Sequence, residues 1–245
     1  MISDNKKPET ECLPVHIGII MDGNGRWATS KGLSRSEGHI AGADTFRRIC
    51  EYGCDLGIKS MTFYAFSTEN WKRPPQEVAA LMNIFRDYLH EAQERKAENE
   101  QKGMHMHYMG EREGMPQDIL DLFDTAESES CSKTRTVVNI AVNYGGRAEI
   151  LHSVKNIAQR IKDGELNPED ITEDMISNGL YTAGQPEPDI IVRPSGEQRI
   201  SNFMIWQSAY SEFWYTDKLW PDFTTDDFDK VIEDYSRRHR RFGGV

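Results

Sequence analysis

The residues best suited to chemistry follow the first apolar run of the chain, in the turn Asp22-Gly23-Asn24-Gly25-Arg26. Glycine relieves the steric penalty at positive φ, and asparagine also tolerates it, so backbone N–H groups can approach an anion closely. A carboxylate beside a phosphate group indicates a hard divalent cation between them. The turn therefore predicts a site for magnesium and a diphosphate. The alternative is a tight turn in which Asp22 caps the following helix, and the turn alone does not decide between the two.

Two further polar stretches follow predicted strands, one at 67–70 and one between Arg193 and Ser201. In a parallel sheet the carboxyl ends of the strands meet at one edge, where ligands bind. Arg193, Arg199 and Ser201 supply enough donors to grip a second diphosphate. Glu212 is a second candidate carboxylate for the metal. Taken alone, these arginines would more often be surface ion-pair partners.

The elements that must position these residues alternate between strand and helix, which is the pattern of helices packed on a parallel sheet. Short β-branched runs predict strands, and apolar residues at helical spacing predict helices. The predicted strands are Val15–Met21, Ile58–Phe66, Met104–Met109, Thr136–Val142, Asp189–Val192 and Asn202–Trp206. The predicted helices are His39–Leu56, Val78–Leu89, Pro116–Thr125, Arg147–Lys162 and Asp226–Arg241. We expect an α/β fold with a mostly parallel central sheet flanked by helices, in a single domain over 15–245 after a flexible polar N-terminus at 1–14.

The composition suits one domain and argues against nucleic acid as a partner. The chain has 245 residues, 38% hydrophobic content and a formal net charge of −11, whereas counterion-driven binding to nucleic acid needs a basic face. The arginines are nevertheless clustered, which suits a small polyanion. The four cysteines have no zinc or disulfide spacing, so a reducing cytoplasm is the expected location. No apolar run approaches the roughly 18 residues of a membrane helix, so we expect a soluble, unprocessed chain whose membrane contact is at most peripheral.

Several ordered blocks of sequence together resemble one enzyme family. They are HIGIIMDGNGRWA from His16, GHIAGA from Gly38, FYAFSTENWKRP from Phe63, NYGGR from Asn143, GEQRISNF from Gly196, LWPDF from Leu219 and RRFGG from Arg240. Over 15–244 the chain resembles the cis-prenyltransferases, and this many blocks in order are far more specific than a single motif. The resemblance implies repeated head-to-tail addition of isopentenyl diphosphate to an allylic diphosphate, normally farnesyl diphosphate, with formation of Z double bonds. It also implies a magnesium requirement and a homodimer.

The resemblance also implies roles for individual residues. Asp22 would hold the metal and assist departure of the allylic diphosphate, and Glu212 would be the second acidic residue near the metal. The allylic diphosphate site would comprise Gly23, Asn24, Gly25, Arg26, Trp27, Arg35 and His39. Isopentenyl diphosphate would be bound by Arg193, Arg199 and Ser201, under a loop that comprises Ser67, Thr68, Glu69, Asn70, Trp71 and Arg73. Asn70 is the candidate catalytic residue for the final proton loss, although Ser67, His39 or the diphosphate itself could accept the proton.

An apolar tunnel between sheet and helices is expected, because a growing polyprenyl chain cannot remain in water. The candidates for its wall are Ala65, Phe66, Val78, Leu81, Met82, Phe85 and the strand 137–142. The alternative is that these residues form an ordinary core. The loop 68–77 is expected to close on substrate and to open for product release. Pro194 stands where the family has a small polar residue, and it removes one backbone N–H from the predicted isopentenyl diphosphate site.

Three rival functions fit the residues less well. A noncatalytic prenyl-binding subunit of the same fold would be expected to lose Asp22 and Arg26, and both are present. A trans-type prenyltransferase would be all-α with a DDxxD motif, whereas this chain has DDFD at 226–229. A phosphohydrolase with Asp22 as its nucleophile would carry a second acid where this chain has Asn24. We therefore predict a synthase.

Overall fold

The computed structural model of the chain describes residues 13–238. Nearly all of the predicted polar N-terminus 1–14 and the whole RRFGG block lie outside the described residues. Within 13–238, none of the helices combines the length and the apolar character that a membrane crossing requires.

A six-stranded sheet forms the centre of the molecule, and every neighbouring pair of its strands is parallel. The strands are β1 (His16–Ile20), β2 (Ser60–Ser67), β3 (Met104–Met109), β4 (Thr136–Tyr144), β5 (Ile190–Arg193) and β6 (Glu212–Tyr215). Their order across the sheet is β3-β4-β2-β1-β5-β6. All five residues of the central strand β1 are buried, as expected for a parallel strand covered on both faces. The predicted α/β class is confirmed.

Helices and short 3₁₀ turns connect the strands. The helices are α1 (Asn24–Ser30), α2 (Arg35–Leu56), α3 (Pro75–Glu94), α4 (Lys96–Lys102), α5 (Gln117–Ser130), α6 (Gly146–Lys162), α7 (Glu173–Ser177) and α8 (Thr225–Arg237). The 3₁₀ turns are Thr68–Lys72, Pro168–Asp170 and Trp220–Asp222. The larger apolar core lies between one face of the sheet and helices α2, α3, α5 and α8. A smaller core on the other face includes Tyr64, Tyr144, Phe203 and Met204.

The first turn folds around one glycine rather than two. Gly23 has φ of 107°, and a Cβ there would lie 2.9 Å from the Leu219 side chain. Asn24 and Gly25 are already helical, as the first residues of α1, so the positive φ that glycine and asparagine tolerate is used at Gly23 and not at these two positions. Gly23 occupies the N-cap position and no side chain caps the helix. The alternative in which Asp22 is a helix cap is therefore wrong.

The last predicted strand, Asn202–Trp206, is also wrong, and the sixth strand is β6 instead. Ser201, Asn202 and Met204 have φ of 47°, 64° and 46°, which a strand does not allow. Phe203 and Met204 are nevertheless fully buried in the smaller core. The apolar run was therefore correctly predicted to be buried, but it is buried as a turn rather than as a strand.

Candidate active site

A cavity of about 640 Å³ opens at the carboxyl edge of the sheet and extends between the sheet and α2, α3 and α5. Its polar end is lined by Asp22, Asn24, His39, Ser67, Glu69, Asn70, Arg73, Arg193, Arg199, Ser201 and Asn202. Its apolar body is lined by Phe46, Ala65, Phe66, Leu81, Ile84, Phe85, Tyr88, Leu89, Phe123 and Ile140. The three polar stretches that follow β1, β2 and β5 therefore converge, as predicted. We refer to this space as the main cavity.

Asp22 and Arg193 form the centre of the polar end. Arg193 Nη2 donates to Asp22 Oδ2 at 2.8 Å, and the two side chains are 4% and 29% exposed. Burial raises the pKa of Asp22, but the hydrogen bond and charge of Arg193, together with the charge of Arg26, bring the pKa below its usual range. Asp22 is therefore an anion at neutral pH. Arg193 Nη1 also donates to Ser201 Oγ at 2.7 Å, which fixes the guanidinium from both sides.

Two further arginines share one carboxylate beside this pair. Arg26 Nη2 lies 3.5 Å from Asp22 Oδ1, and Arg26 Nη1 donates to the Ser195 carbonyl at 3.0 Å. Glu197 lies 3.6 Å from Arg26 and also accepts from Arg199. These partners are exposed or half-exposed, so an incoming anion can exchange with them at low cost.

Glu77 contacts three of the predicted site residues, although it was not itself predicted from the sequence. Its carboxylate lies 2.9 Å from Arg73, 3.4 Å from Arg35 and 3.6 Å from His39 Nε2, and its side chain is 9% exposed. Burial raises the pKa of Glu77, but the charges of Arg73 and Arg35 lower it below its usual value. Burial and the charge of Arg73 lower the pKa of His39 despite Glu77, so His39 is neutral at pH 7. Glu77 thus ties the start of α3 to α2 beside the cavity. The i,i+4 spacing of Arg73 and Glu77 was the available signal in the sequence.

The loop after β2 is built on its own side chains. The Ser67 N–H donates to Asn70 Oδ1 at 3.0 Å, so this predicted catalytic amide also caps a turn. Glu69 accepts from Asn202 at 3.1 Å, which joins the loop to the turn after β5. Tyr64, another residue that we did not predict, donates to the Ser201 carbonyl at 3.3 Å. The two loops therefore meet over the polar end of the main cavity.

Three buried polar atoms around the polar end have no hydrogen-bond partner among the described residues: Asn24 Oδ1, Arg193 Nε and Ser195 Oγ. Buried polar groups are nearly always satisfied, so orphans that cluster in one place call for a ligand or solvent. Two of the three belong to residues that line the main cavity. A polar ligand or solvent at the polar end would satisfy these atoms.

The structure does not bring every predicted site residue to the cavity wall. The Trp27 indole donates to Asp222 at 2.7 Å, and the Trp71 indole donates to Asn143 at 2.7 Å, so both rings are directed elsewhere. Thr68 lies beside Trp71 in a separate surface groove. Apart from Glu212, the remaining predicted residues outside the wall are Gly23, Gly25, Arg26 and Arg35. The two glycines flank Asn24 in the sequence, and the two arginines contact Asp22 and Glu77.

Glu212 requires a correction. It is the first residue of β6 and pairs in register with Ile190, at the amino end of β5, whereas Asp22 follows the carboxyl end of β1. Its carboxylate accepts from Arg238 at 2.7 Å. In a parallel sheet these positions are at opposite edges, so within one chain Glu212 is not a second metal ligand beside Asp22.

The backbone after Pro194 is already hydrogen-bonded within the chain. The Ser195 N–H donates to the Lys218 carbonyl at 2.6 Å, and the Gly196 N–H donates to the Thr216 carbonyl at 2.8 Å. The two amides that follow Pro194 therefore donate to residues 216–218 within the chain. Pro194 itself has no N–H to donate. The side chains of Arg193 and Arg199, by contrast, line the main cavity.

The apolar tunnel was predicted with partial success. Ala65, Phe66, Leu81 and Phe85 line the main cavity, and Ile140 is the wall residue from the predicted strand 137–142. Val78 and Met82 pack in the larger core instead and do not line the cavity. Helix α3 therefore contributes some of its apolar side chains to the cavity wall and others to the core.

The residues present fit a magnesium ion that is shared with a substrate. Among residues 13–238 there is no cluster of three or more histidine, cysteine, aspartate or glutamate side chains that could hold a metal alone. Magnesium, however, is commonly held by one or two carboxylates together with substrate phosphates. Asp22 supplies one ionised carboxylate at the polar end, among side chains that suit a diphosphate.

Comparisons with known proteins agree on one family. The family model described as "Putative undecaprenyl diphosphate synthase" matches residues 20–243. The isoprenyl transferase of Clostridium tetani is 46% identical over 244 residues, which cover 100% of this chain and 94% of that protein. The isoprenyl transferase of Heliobacterium mobile is 48% identical over 233 residues, which cover 95% of this chain and 88% of that protein.

Two solved structures are similar along nearly their whole length. The crystal structure of lavandulyl diphosphate synthase from Lavandula x intermedia, in complex with dimethylallyl diphosphate, has a TM-score of 0.91 and 35% identity. The match covers 95% of this chain and 99% of that chain. A "probable undecaprenyl diphosphate synthase" from Campylobacter jejuni has a TM-score of 0.76 and 26% identity, with 94% and 99% covered. The resemblance stated from the sequence blocks is confirmed.

Proposed function

Because the chain belongs to the undecaprenyl diphosphate synthase family of prenyltransferases, we propose that it is a magnesium-dependent cis-prenyl elongation enzyme. It adds isopentenyl diphosphate units to farnesyl diphosphate and produces a long Z-polyprenyl diphosphate, undecaprenyl diphosphate, a lipid-carrier precursor for cell-wall synthesis. The observation that carries the proposal is the main cavity, in which an arginine-rich polar end continues directly into an apolar body. Such a cavity matches a substrate with a charged head and a hydrocarbon tail.

The polar end suits departure of the allylic diphosphate. Breaking the C–O bond leaves an allylic cation and places negative charge on the departing diphosphate. Arg26 and Arg193 stand where they can stabilise that charge through fixed N–H donors. Asp22 would hold the magnesium ion, which supplies further positive charge to the leaving group when it is bound. Arg193 Nε, without a partner among residues 13–238, would donate to the bound diphosphate, and Asn24 Oδ1 would accept from a water molecule beside it.

The incoming isopentenyl diphosphate would bind at the loop after β5. Arg193, Arg199 and Ser201 supply donors on one side of the cavity mouth. The C4 carbon of isopentenyl diphosphate would then bond to the allylic cation, and the product forms when the resulting cation loses a proton. This cation is a strong acid, so a weak and well-placed base suffices to accept its proton. Neutral His39, Ser67, Asn70 and the diphosphate all remain candidates for that base.

The loop 68–77 would close over the bound substrates. Glu69 already contacts Asn202 across the cavity mouth, and Glu77 anchors the far end of the loop through Arg35 and Arg73. A farnesyl diphosphate analogue should therefore slow amide hydrogen exchange in this loop. Unchanged exchange would count against closure.

Membership of this family is also the basis on which we propose an oligomeric state and a cellular location. We expect a homodimer, and Leu151 and Val154 of α6 are 51% and 45% exposed on one helix face, where a second copy could cover them. We expect a cytoplasmic protein that touches a membrane surface peripherally when its apolar product leaves.

The test is direct. The purified protein is incubated with farnesyl diphosphate and radiolabelled isopentenyl diphosphate, with and without magnesium, and the products are sized by chromatography. We expect magnesium-dependent products that contain several added five-carbon units. Tight diphosphate binding without any elongation would instead identify a noncatalytic binding subunit.

A further inference from the structure

Two buried cysteines lie side by side on α2, away from the site described above. Cys50 and Cys54 are one helical turn apart on the same face of the helix, and they are 4% and 0% exposed. Their two thiols are within hydrogen-bonding distance of one another. A single buried cysteine usually serves as a small apolar side chain. Two thiols in contact can in addition share one ligand.

A methionine of the edge strand β3 completes a group of three sulfur atoms. Met104 is the first residue of β3, and its Sδ lies 3.9 Å from Cys50 Sγ. The Cys54 thiol reaches the same place, because it is within hydrogen-bonding distance of the Thr136 side chain, and Thr136 pairs in register with Met104. We refer to Cys50, Cys54 and Met104 as the sulfur cluster. The cluster joins α2 to the edge of the sheet.

The spacing within the sulfur cluster suits one metal ion with three ligands in a plane. A bond between a metal ion and sulfur is about 2.3 Å long, so sulfur atoms placed at 120° around one ion are about 4.0 Å apart. The observed separation of Cys50 Sγ and Met104 Sδ is 3.9 Å. Thiolate and thioether ligands select soft ions such as Cu(I). The geometry and the ligand types therefore agree.

A small cavity leads from the sulfur cluster to the protein surface. Its volume is about 70 Å³, and both Cys50 and Met104 line it. Lys96 and Glu129 also line this cavity, and their side chains are 48% and 38% exposed. One water molecule needs about 10 to 15 Å³ of such space. A single metal ion can therefore reach the cluster.

The buried position favours a soft monovalent ion. Binding forms a metal–sulfur bond, breaks one S–H bond and releases the proton to the buffer. One thiolate then neutralises one monovalent ion, so no net charge enters the core. A zinc ion almost always takes four ligands in a structural site. Within residues 13–238, no group of three or more histidine, cysteine, aspartate or glutamate side chains is placed to hold it.

We propose that the sulfur cluster binds one soft monovalent metal ion of the Cu(I) or Ag(I) class, with Cys50 and Cys54 as the principal ligands and Met104 as the third. None of the three residues lines the main cavity, so the inference does not depend on the proposed function. A bound ion would tie α2 to β3. Because it binds the folded chain, it should also stabilise that chain.

The test uses the full chain with Cys12→Ser and Cys131→Ser, so that Cys50 and Cys54 are its only thiols. Cu(I) is supplied without oxygen as its bicinchoninate complex, and the copper transferred to the protein is measured by mass spectrometry. We expect one copper ion per chain. Adding Cys54→Ala should lower the affinity by about tenfold or more. The proposal is overturned if the two-thiol protein takes up no more copper than a version that also carries Cys50→Ala and Cys54→Ala.

Met104→Leu and Met106→Leu provide a matched pair for the third ligand. Both methionines belong to β3 and line the small cavity, and leucine nearly preserves the volume of methionine. Only Met104→Leu should weaken Cu(I) binding, by about tenfold. Equal affinities in the two variants would contradict the three-sulfur site.

Thermal unfolding separates a site in the folded protein from thiols that bind copper only in the unfolded chain. A ligand of the folded state raises the midpoint of unfolding, whereas a ligand of the unfolded chain lowers it. We expect Cu(I) to raise the midpoint of the two-thiol protein. A lowered or unchanged midpoint would overturn the proposal. This measurement needs no substitution in the sulfur cluster, so it decides the matter even if the alanine variants fail to fold.

Discussion

The two ends of the main cavity are built on different physical principles. At the polar end, Asp22, Arg193 and Glu77 each contact several partners at hydrogen-bond or ion-pair distances. In the apolar body, Leu81 and Phe85 contribute only shape and hydrophobic surface. Removal of one charged side chain leaves its buried ion-pair partner without a counter-charge. An apolar wall, by contrast, tolerates substitution by apolar side chains of similar volume. Substitutions at the polar end should therefore stop the reaction, and substitutions in the body should alter tail binding and stability.

The largest effect should come from Asp22→Ala. This change removes the ionised carboxylate and leaves Arg193, which is 4% exposed, without its main counter-ion. We expect the rate of isopentenyl incorporation to fall by about 10³-fold or more, a loss comparable to that of a key transition-state contact. Incorporation is measured with radiolabelled substrate, and folding is checked by circular dichroism.

A suitable control for Asp22→Ala is Asp222→Ala. Asp222 accepts from the Trp27 indole outside the main cavity, so its removal should leave the rate within a few-fold of wild type. Near-normal elongation by Asp22→Ala would overturn the mechanism proposed for the polar end.

The next largest effect should come from Arg193→Lys. The guanidinium donates to Asp22 and Ser201 through two different nitrogens, and one ammonium group cannot reproduce that fork. We expect kcat/KM for isopentenyl diphosphate to fall by about 10²-fold, equivalent to roughly 2.7 kcal/mol. If lysine supports wild-type kinetics, the polar end requires positive charge alone and not the geometry that we describe.

The apolar body can be tested with two adjacent residues of α3. Leu81 and Met82 are 5% and 4% exposed, but only Leu81 lines the main cavity. Truncation of either to alanine should lower the free energy of unfolding by about 2 to 3 kcal/mol. Only Leu81→Ala should also raise KM for farnesyl diphosphate, by less than about tenfold, because it alone touches the tail. Urea denaturation and steady-state kinetics measure the two effects, and equal kinetic changes in both variants would contradict the assignment.

The same contrast explains what the sequence could predict. Polar residues at strand ends converge because parallel strands share one carboxyl edge, so Asp22, Asn70 and Arg193 could be placed together without coordinates. Glu212 could not be placed, because its position depends on where β6 begins, and the turn at 201–204 had been interpreted as the last strand. An apolar run shows that a segment is buried, but not in which conformation.

The apolar wall was harder to predict than the polar end. Periodicity places Leu81, Met82 and Phe85 of α3 on one broad apolar face, and it does not show which of them border an empty space. That distinction depends on how α3 packs against the sheet and α5, which is a tertiary property. Glu77 was missed for a related reason, because its importance comes from Arg35 and His39, both on another helix.

The smallest effect is expected away from both ends of the cavity, at His16 near the amino edge of the sheet. His16 Nδ1 contacts the Pro186 carbonyl at 2.7 Å and must donate to it, so Nε2 accepts from the Thr62 hydroxyl at 2.8 Å. Burial lowers the pKa of His16 to about 4, from the ordinary 6.5. Between these values the unfolded chain binds a proton that the folded chain does not, so the contribution to stability is complete above pH 6.5 and is lost as the pH falls toward 4. At pH 5.5 the free energy of unfolding should be lower by about 1.4 kcal/mol for this reason.

The free energy of unfolding of His16→Gln, measured in urea, should therefore depend less steeply on pH than that of wild type over this range. Identical slopes would show that another group causes the acid sensitivity.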